Sequence, residues 1–237
     1  MYRLYHYTLC PFSRTVRLHL AEKAIPFTAI LENYWEKRET FLKINKSGSV
    51  PFLVKKATPE EYADGIPHLL LSGVNAINEY LEDAFDDRSL IFGSPEERGE
   101  IRRMCDWCNV KFYNEVVSYI VNEKVINFHK TRELPDTQIL AIAAHNLMPH
   151  LDYFGYLISN NGWIAGRKMS LADLTLAASI SVLDYLGMIP WTKMNDGNKS
   201  YIRDWYVLIK SRPSFRAILQ DSIAGFTPPN HYRELDF

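Results

Sequence analysis

The chain has 237 residues, of which 47% are hydrophobic and 23% charged, proportions that suit a globular protein with a sizeable core. Its 27 basic and 28 acidic side chains give a net charge of −1, so the charge balance predicts neither a nucleic-acid partner nor a membrane surface. Three cysteines are too few for a disulfide framework, no apolar run could span a bilayer, and the N-terminus lacks a signal-peptide pattern, so we expect a cytoplasmic protein.

The first thirty residues predict a strand, a helix and a second strand. Side chains alternate over residues 2–7 as in a strand, whereas residues 12–20 carry apolar side chains at the helical spacing of four. Residues 25–31 are rich in β-forming side chains and predict the second strand. Cys10 therefore lies where the first strand gives way to the first helix.

Cys10 has two readings at this junction. Pro11 suits the first helical turn, and the free backbone N–H groups of that turn concentrate partial positive charge beside the Cys10 sulfur. Such surroundings lower the pKa of a thiol and favour the reactive thiolate, which makes Cys10 a candidate nucleophile. The other reading is a small residue that fills a helix cap, since free cysteines are usually buried and inert.

A short helix is predicted within residues 35–44, and a turn rich in glycine and serine follows it. Val50 and Pro51 come next and precede a short strand at 52–54. From the sequence alone, the peptide bond between Val50 and Pro51 is expected to be trans.

The polar, turn-rich stretch at 55–67 predicts an extended hairpin loop. After it, residues 68–71 predict a fourth strand and residues 74–81 an amphipathic helix, which we expect Ser72 to cap. These elements complete a small α/β domain over residues 1–84.

Residues 85–96 form a polar connector, and beyond it the apolar residues keep helical spacing. The predicted helices lie at 98–129, 135–158 and from Ser170 to about residue 185. We therefore predict an all-helical domain over 97–225, followed by a tail over 226–237. Ser170 and Asp173, three residues apart, have the spacing of a reciprocal helix cap and are read as structural.

No metal site is predicted. Cys105 and Cys108 are spaced as half of a zinc site, but no second pair accompanies them, and on one face of a helix they are expected to pack. The seven histidines show no metal-ligand spacing. Tyr5 and Tyr7 rank behind Cys10 as catalytic candidates, because strand alternation alone decides whether each is buried or exposed.

The tail carries apolar side chains among charged ones, whereas a chain end is usually small, polar and frayed. Tyr232, Leu235 and Phe237 accompany Arg233 and Asp236. This mixture is typical of a segment that docks on a partner or on the protein's own body. Both readings stay open, and these five residues are the candidate partner-binding set.

The strand-to-helix junction at Cys10, the Val50–Pro51 turn and the segment 163–173 resemble the glutathione transferase superfamily, and the Cys-Pro-Phe sequence resembles its omega-like members. The resemblance covers both halves of the chain and implies a thioredoxin-like N-terminal domain with an all-α C-terminal domain. It implies that Cys10 is the nucleophile that forms mixed disulfides with glutathione. Ser13 stands where glutaredoxin-like proteins have a resolving cysteine, so no intramolecular dithiol is expected.

The resemblance also implies how glutathione would be held. The matching proline is cis in the superfamily, and the backbone of the preceding residue, here Val50, would pair with the cysteinyl unit of the ligand. The acid and the serine that hold the γ-glutamyl end correspond to Gly73 and Val74, so both side-chain contacts are missing. Each such bond is worth roughly 1.5–3 kcal/mol, so glutathione binding is expected to be weakened by two or more orders of magnitude. No cofactor is required, although the helix N-terminus still favours an anion.

Several segments resemble a bacterial cell-division subfamily of these proteins, which binds the filament-forming GTPase FtsZ. The segments are 34–38, 121–125, 151–157, 184–187 and 228–237. That subfamily implies a homodimer that binds division filaments and needs no conjugating activity. We therefore predict an FtsZ-binding regulator with a degenerate glutathione site, and the alternative is an active omega-like glutathione transferase that uses Cys10.

Overall fold

The computed structural model describes residues 1–59, 63, 68–194 and 197–235, and the chain divides into two compact units, 1–89 and 90–237. The division falls inside the predicted connector. In the first unit the strands are β1 (Tyr2–His6), β2 (Phe27–Leu31), β3 (Phe52–Lys55) and β4 (Leu69–Ser72), and the helices are α1 (Pro11–Glu22), α2 (Glu39–Ile44) and α3 (Val74–Ala84).

The four strands form one mixed sheet in the order β2-β1-β3-β4. Strand β1 runs parallel to β2 and antiparallel to β3, and β3 runs antiparallel to β4. Apolar side chains from β1, α1, β3 and α3 fill the core, among them Leu4, Val16, Leu53 and Ile77. The predicted α/β architecture is confirmed, and the β1–α1 junction falls at Cys10 as expected.

The start of α3 differs from the sequence prediction. Ser72 is the last residue of β4 and does not cap the helix; Gly73 holds the N-cap position, with φ of 94° and ψ of 138°. A positive φ favours glycine, which has no Cβ to collide with its own backbone. Much of the hairpin loop predicted over 55–67 lies outside the described residues, so that loop stays a prediction.

The second unit is helical. Its first helix, α4, is a continuous run over residues 95–131, in which wider π-type turns at Trp107–Val117 and Asn122–Asn127 alternate with α-helical turns. The others are α5 (Thr137–Asn161), α6 (Leu171–Tyr185), α7 (Lys199–Lys210) and α8 (Arg216–Leu219), with short 3₁₀ turns at Trp191–Lys193, Pro213–Phe215 and Asn230–Tyr232.

Helix α6 lies at the centre of this unit, since every one of its residues is buried. The reciprocal cap predicted at its start is confirmed. The Asp173 carboxylate accepts the Ser170 N–H at 2.9 Å, the Ile164 N–H at 3.1 Å and the Trp205 indole N–H at 3.0 Å. This carboxylate therefore joins the preceding turn, the cap and α7, a structural role.

Helices α5 and α7 touch backbone to backbone at Gly155. A Cβ at this position would lie 2.0 Å from the carbonyl oxygen of Asn198, at the start of α7. Lys199 forms an ion pair of 3.0 Å with Asp152 on the neighbouring turn of α5. The missing side chain of Gly155 thus sets the distance between the two helices.

Cys105 and Cys108 are both buried and free of disulfides. The Thr175 hydroxyl lies 3.7 Å from the Cys105 sulfur, and burial raises the pKa of the Cys108 thiol well above its ordinary value. Among the described residues, no group of three or more His, Cys, Asp or Glu side chains could hold a metal ion. None of the described helices has both the length and the apolar character needed to cross a membrane.

A buried histidine bridges α4 and α5. The Trp107 indole N–H, which can only donate, lies 3.2 Å from Nδ1 of His150, so Nδ1 must accept and the proton lies on Nε2. Nε2 in turn donates to the Glu115 carboxylate at 2.9 Å. Burial lowers the pKa of His150, and this effect outweighs the opposing effect of Glu115.

This arrangement predicts acid sensitivity. The folded protein binds a proton at His150 less readily than the unfolded chain, in which histidine titrates near pH 6.5. The contribution of neutral His150 to the free energy of unfolding is therefore constant above about pH 6.5 and falls as the pH decreases below that value. Between about pH 7.5 and 5.5 the free energy of unfolding should fall further in the wild type than in His150→Gln, by at most about 1.4 kcal/mol, the limit set by the histidine pKa of the unfolded chain. Urea unfolding of both proteins at the two pH values measures this difference, and identical pH profiles would contradict it.

Candidate functional site

The first candidate site is built around Cys10 at the start of α1. Cys10 occupies the N-cap position and Pro11 the first helical position. Cys10 is 6% exposed, and its sulfur lies 3.9 Å from the carbonyl oxygen of Val50. Ser13, one turn along α1, is fully buried, and its hydroxyl accepts the Tyr7 N–H at 3.4 Å. The sequence thus placed Cys10 correctly at the start of α1 and Ser13 within its first turn.

The predicted lowering of the Cys10 pKa is wrong. Burial raises the pKa of the Cys10 thiol, and the hydrogen bonds from Ser13 and the nearby positive charge of Arg14 offset this only in part. Arg14 is itself fully buried and donates to the Thr8 carbonyl at 2.9 Å. The helix N-terminus favours the thiolate, but removal of the sulfur from water disfavours it more strongly. Cys10 is therefore mainly a thiol near neutral pH.

The peptide bond between Val50 and Pro51 is cis, as the family resemblance implied and contrary to the expectation from sequence alone. The Pro51 carbonyl accepts the Gly73 N–H at 3.2 Å. Val50 also lies next to Cys10. The predicted motifs at Cys10, at Val50–Pro51 and at Gly73 therefore form one continuous site at the strand ends on one side of the sheet.

The residues at this edge fit only part of glutathione. The backbone of Val50 stands where the cysteinyl unit would pair, but Gly73 offers a hydrogen and Val74 an isopropyl group where an acid and a hydroxyl would hold the γ-glutamyl end. Val74 instead packs against the core of the first unit. The positive φ of Gly73 also makes an acidic side chain there strained. The site therefore does not fit the amino-acid head of the tripeptide.

Aromatic side chains from the 34–38 segment pack on Tyr7, whose carbonyl accepts the Cys10 N–H at 3.1 Å. The Trp35 ring meets the Tyr7 ring edge-on, with centroids 4.6 Å apart, and the Tyr34 ring lies 6.3 Å from Tyr7. Arg38 binds the buried Glu32 carboxylate through two nitrogens. Single-sequence periodicity carries no signal for such a cluster, because its members come from a strand end and a short 3₁₀ turn.

The second candidate site is the tail, in the second unit. Tyr232 is fully buried, and its ring meets the Tyr185 ring edge-on at 5.1 Å. The Tyr232 hydroxyl donates to the Ile218 carbonyl at 3.1 Å. These contacts correct the prediction that Tyr232 contacts a partner, because a fully buried ring holds the tail to the protein's own body.

A buried carboxylate reinforces the attachment of the tail. Asp184, at the end of α6, accepts hydrogen bonds from the Trp191 indole at 2.7 Å and the Tyr206 hydroxyl at 3.2 Å, and lies 2.9 Å from Nε2 of His231. Lys210 is also buried, and its ammonium donates to the His231 carbonyl at 2.9 Å. Burial lowers the pKa of Lys210 to about 8, against the opposing effect of Asp184. We call these five residues the tail anchor.

The described residues after Tyr232, residues 233–235, are exposed. Arg233 and Leu235 are exposed, with 43% of Leu235 accessible, so both remain candidates for partner contact. Asp236 and Phe237 lie outside the described residues, and their proposed role stays a prediction. The two readings of the tail thus apply to different parts of it: His231 and Tyr232 dock on the protein, whereas residues 233–235 are exposed.

Comparison with known proteins places both sites in a family context. Residues 4–89 match the family model described as glutathione S-transferase, N-terminal domain. The chain is 38% identical over 234 residues to FtsZ-localized protein A of Caulobacter vibrioides, covering 99% of this chain and 97% of that protein.

Solved structures agree over the whole length. FzlA from C. crescentus superposes with a TM-score of 0.91 at 37% identity, covering 100% of this chain and 99% of that one. A glutathione S-transferase from Rhodospirillum rubrum F11 superposes with a TM-score of 0.89 at 38% identity, with full coverage of both chains. The chain has a thioredoxin-like unit followed by a helical unit, and a relative that it matches over nearly its whole length is 38% identical. The chain therefore belongs to the glutathione S-transferase superfamily.

Proposed function

We propose that this protein binds FtsZ filaments and regulates cell division, on a scaffold that glutathione transferases use for catalysis. The observation that carries the proposal is the similarity to FtsZ-localized protein A, which extends over 99% of this chain and 97% of that protein. We further propose a cytoplasmic homodimer, which light scattering coupled to size-exclusion chromatography would test.

The geometry of the first site supports a binding role over catalysis. The γ-glutamyl contacts are absent at Gly73 and Val74, and burial raises the pKa of the only cysteine at the site, Cys10. Both features reduce the population of an activated glutathione complex, one by weakening binding and the other by disfavouring the thiolate. Neither feature affects a function that depends on surface contacts.

The tail provides the test. Deletion of residues 233–237 should leave the fold intact, because His231 and Tyr232, which hold the tail to the protein, both lie before the cut. The deletion should weaken co-sedimentation with FtsZ polymers at least tenfold. This loss corresponds to about 1.4 kcal/mol of binding free energy. Far-UV circular dichroism and the melting temperature, measured on both proteins, check that the truncated protein folds.

A matched control is Arg167→Glu with Lys168→Glu, two exposed cations far along the sequence from the tail. This variant should co-sediment as the wild type does. Undiminished co-sedimentation of the truncated protein would remove the tail from the interface, and failure of the intact protein to co-sediment would contradict the proposed function itself.

A second candidate is an active omega-like glutathione transferase. The placement of Cys10 at the α1 N-cap beside the cis Val50–Pro51 bond favours it. Calorimetry with glutathione and an assay of mixed-disulfide reduction distinguish the two functions. Micromolar binding together with turnover that Cys10→Ser abolishes would favour the enzyme.

A further inference from the structure

A cleft beside the tail anchor carries two arginines. Its cavity of about 370 Å³ is lined by Arg216, Leu219, Gln220 and Arg233. The first three come from α8 and the residue after it, and the fourth comes from the tail. We call this cavity the arginine cleft.

The buried tyrosine of the tail builds the arginine cleft. The Tyr232 hydroxyl donates to the carbonyl of Ile218, which lies between Arg216 and Leu219 in α8. Because Tyr232 is fixed there, the next residue, Arg233, must emerge beside the exposed face of α8. The cleft therefore depends on a docked tail and is not a property of α8 alone.

The two arginines have no ion-pair partner within the described part of the chain. Neither guanidinium forms an ion pair or a hydrogen bond there. The negative charge of the neighbouring Glu234 interacts with the ammonium of Lys210 and partly opposes the effect of burial on the pKa of Lys210. Two cations that line one cavity repel each other, and an anion bound between them would relieve this repulsion.

Apolar surface beside the charges narrows the chemistry of the ligand. Leu219 is part of the lining, and Leu235, two residues beyond Arg233, is 43% exposed. A bare phosphate would leave these side chains without contacts, whereas a peptide can place a carboxylate on the arginines and an apolar side chain beside them. Guanidinium groups bind carboxylates through two parallel hydrogen bonds, which favours such a peptide further.

We propose that the arginine cleft binds an acidic, partly apolar peptide segment of the protein's partner, with Arg216 and Arg233 each holding a carboxylate. The identity of that partner as FtsZ rests on the proposed function, but the cleft does not. The bound segment also spans the joint between the tail and α8, so its binding favours the docked tail.

The first test is independent of FtsZ. A short fluorescein-labelled peptide of alternating glutamate and leucine should bind the full chain, as measured by fluorescence anisotropy, and bind Arg216→Glu/Arg233→Glu at least tenfold more weakly. Affinity should fall with added salt because the cleft is open to solvent. The Arg167→Glu/Lys168→Glu variant makes the same number of charge reversals and should bind normally. Arg216→Gln/Arg233→Gln, which introduces no new charge, should show the same direction of change.

The second test is co-sedimentation of the same variants with FtsZ polymers. The cleft variant should lose at least tenfold in affinity while its melting temperature stays that of the wild type, since the guanidinium groups stabilise nothing within the described fold. Equal peptide binding by all variants would overturn the inference. Peptide binding that appears only after residues 236 and 237 are deleted would also overturn it, because this result would mean that the chain's own carboxylates occupy the cleft in the intact protein. Peptide binding without FtsZ co-sedimentation would uphold the cleft and contradict the proposed function.

Discussion

Asp184→Ala should lower the free energy of unfolding by about 3–5 kcal/mol, because it removes one side of a buried charge cluster. The Trp191 indole and the Tyr206 hydroxyl each lose an acceptor, and His231 loses its contact with the carboxylate. Lys210 would remain buried without the negative charge that raises its pKa. Urea unfolding at neutral pH measures the loss.

The surface offers a matched control for this substitution. Asp152→Ala makes the same chemical change in a carboxylate whose side chain is 52% exposed and pairs with Lys199, so it should cost no more than about 1 kcal/mol. If Asp184→Ala prevents folding, Asp184→Asn retains one acceptor oxygen and should show an intermediate loss. A loss from Asp184→Ala no larger than that from Asp152→Ala would mean that the tail anchor contributes little to stability.

The pair Gly73→Glu and Val74→Ser should tighten glutathione binding by about two orders of magnitude, since it adds two charge-assisted hydrogen bonds of roughly 1.5–3 kcal/mol each. Val74→Ser alone should give about a tenfold gain. A side chain at the positive φ of Gly73 costs about 1–2 kcal/mol of folding stability. This strain is present with and without ligand, so it does not subtract from affinity. Isothermal titration calorimetry with glutathione measures both gains.

The control for this gain is Gly73→Ala with Val74→Ala, which carries the same backbone strain but adds no polar group. It should bind glutathione no better than the wild type. If the Glu–Ser pair also fails to improve binding, the missing side chains do not limit affinity, and the site must be blocked elsewhere, for example by the burial of Cys10.

The sequence located the first site well because its parts follow local rules. Strand alternation and helical spacing placed Cys10 at the junction of β1 and α1, and the spacing of Ser170 and Asp173 predicted a cap. The same local rules did not predict the pKa of Cys10, which burial determines. The pKa of Cys10 follows from its removal from water, which depends on the side chains that cover it and leaves no periodic trace in the sequence.

The tail anchor was hidden from the sequence for a similar reason. Asp184, Lys210 and His231 are far apart along the chain, and each looks like an ordinary surface residue in its own segment. Charged residues are seldom fully buried unless paired, so pattern reading assigns them to the surface. Only the packing of α6, α7 and the tail brings them together.

Gly155 links the spacing of α5 and α7 to the attachment of the C-terminal tail. A methyl group there would stand 2.0 Å from the Asn198 oxygen, so α7 would have to slide outward, and the same helix carries Lys210 at its far end. A segment distant in the sequence therefore limits which residues position 155 can tolerate. A related protein with a larger residue there would need a different attachment for its C-terminal segment.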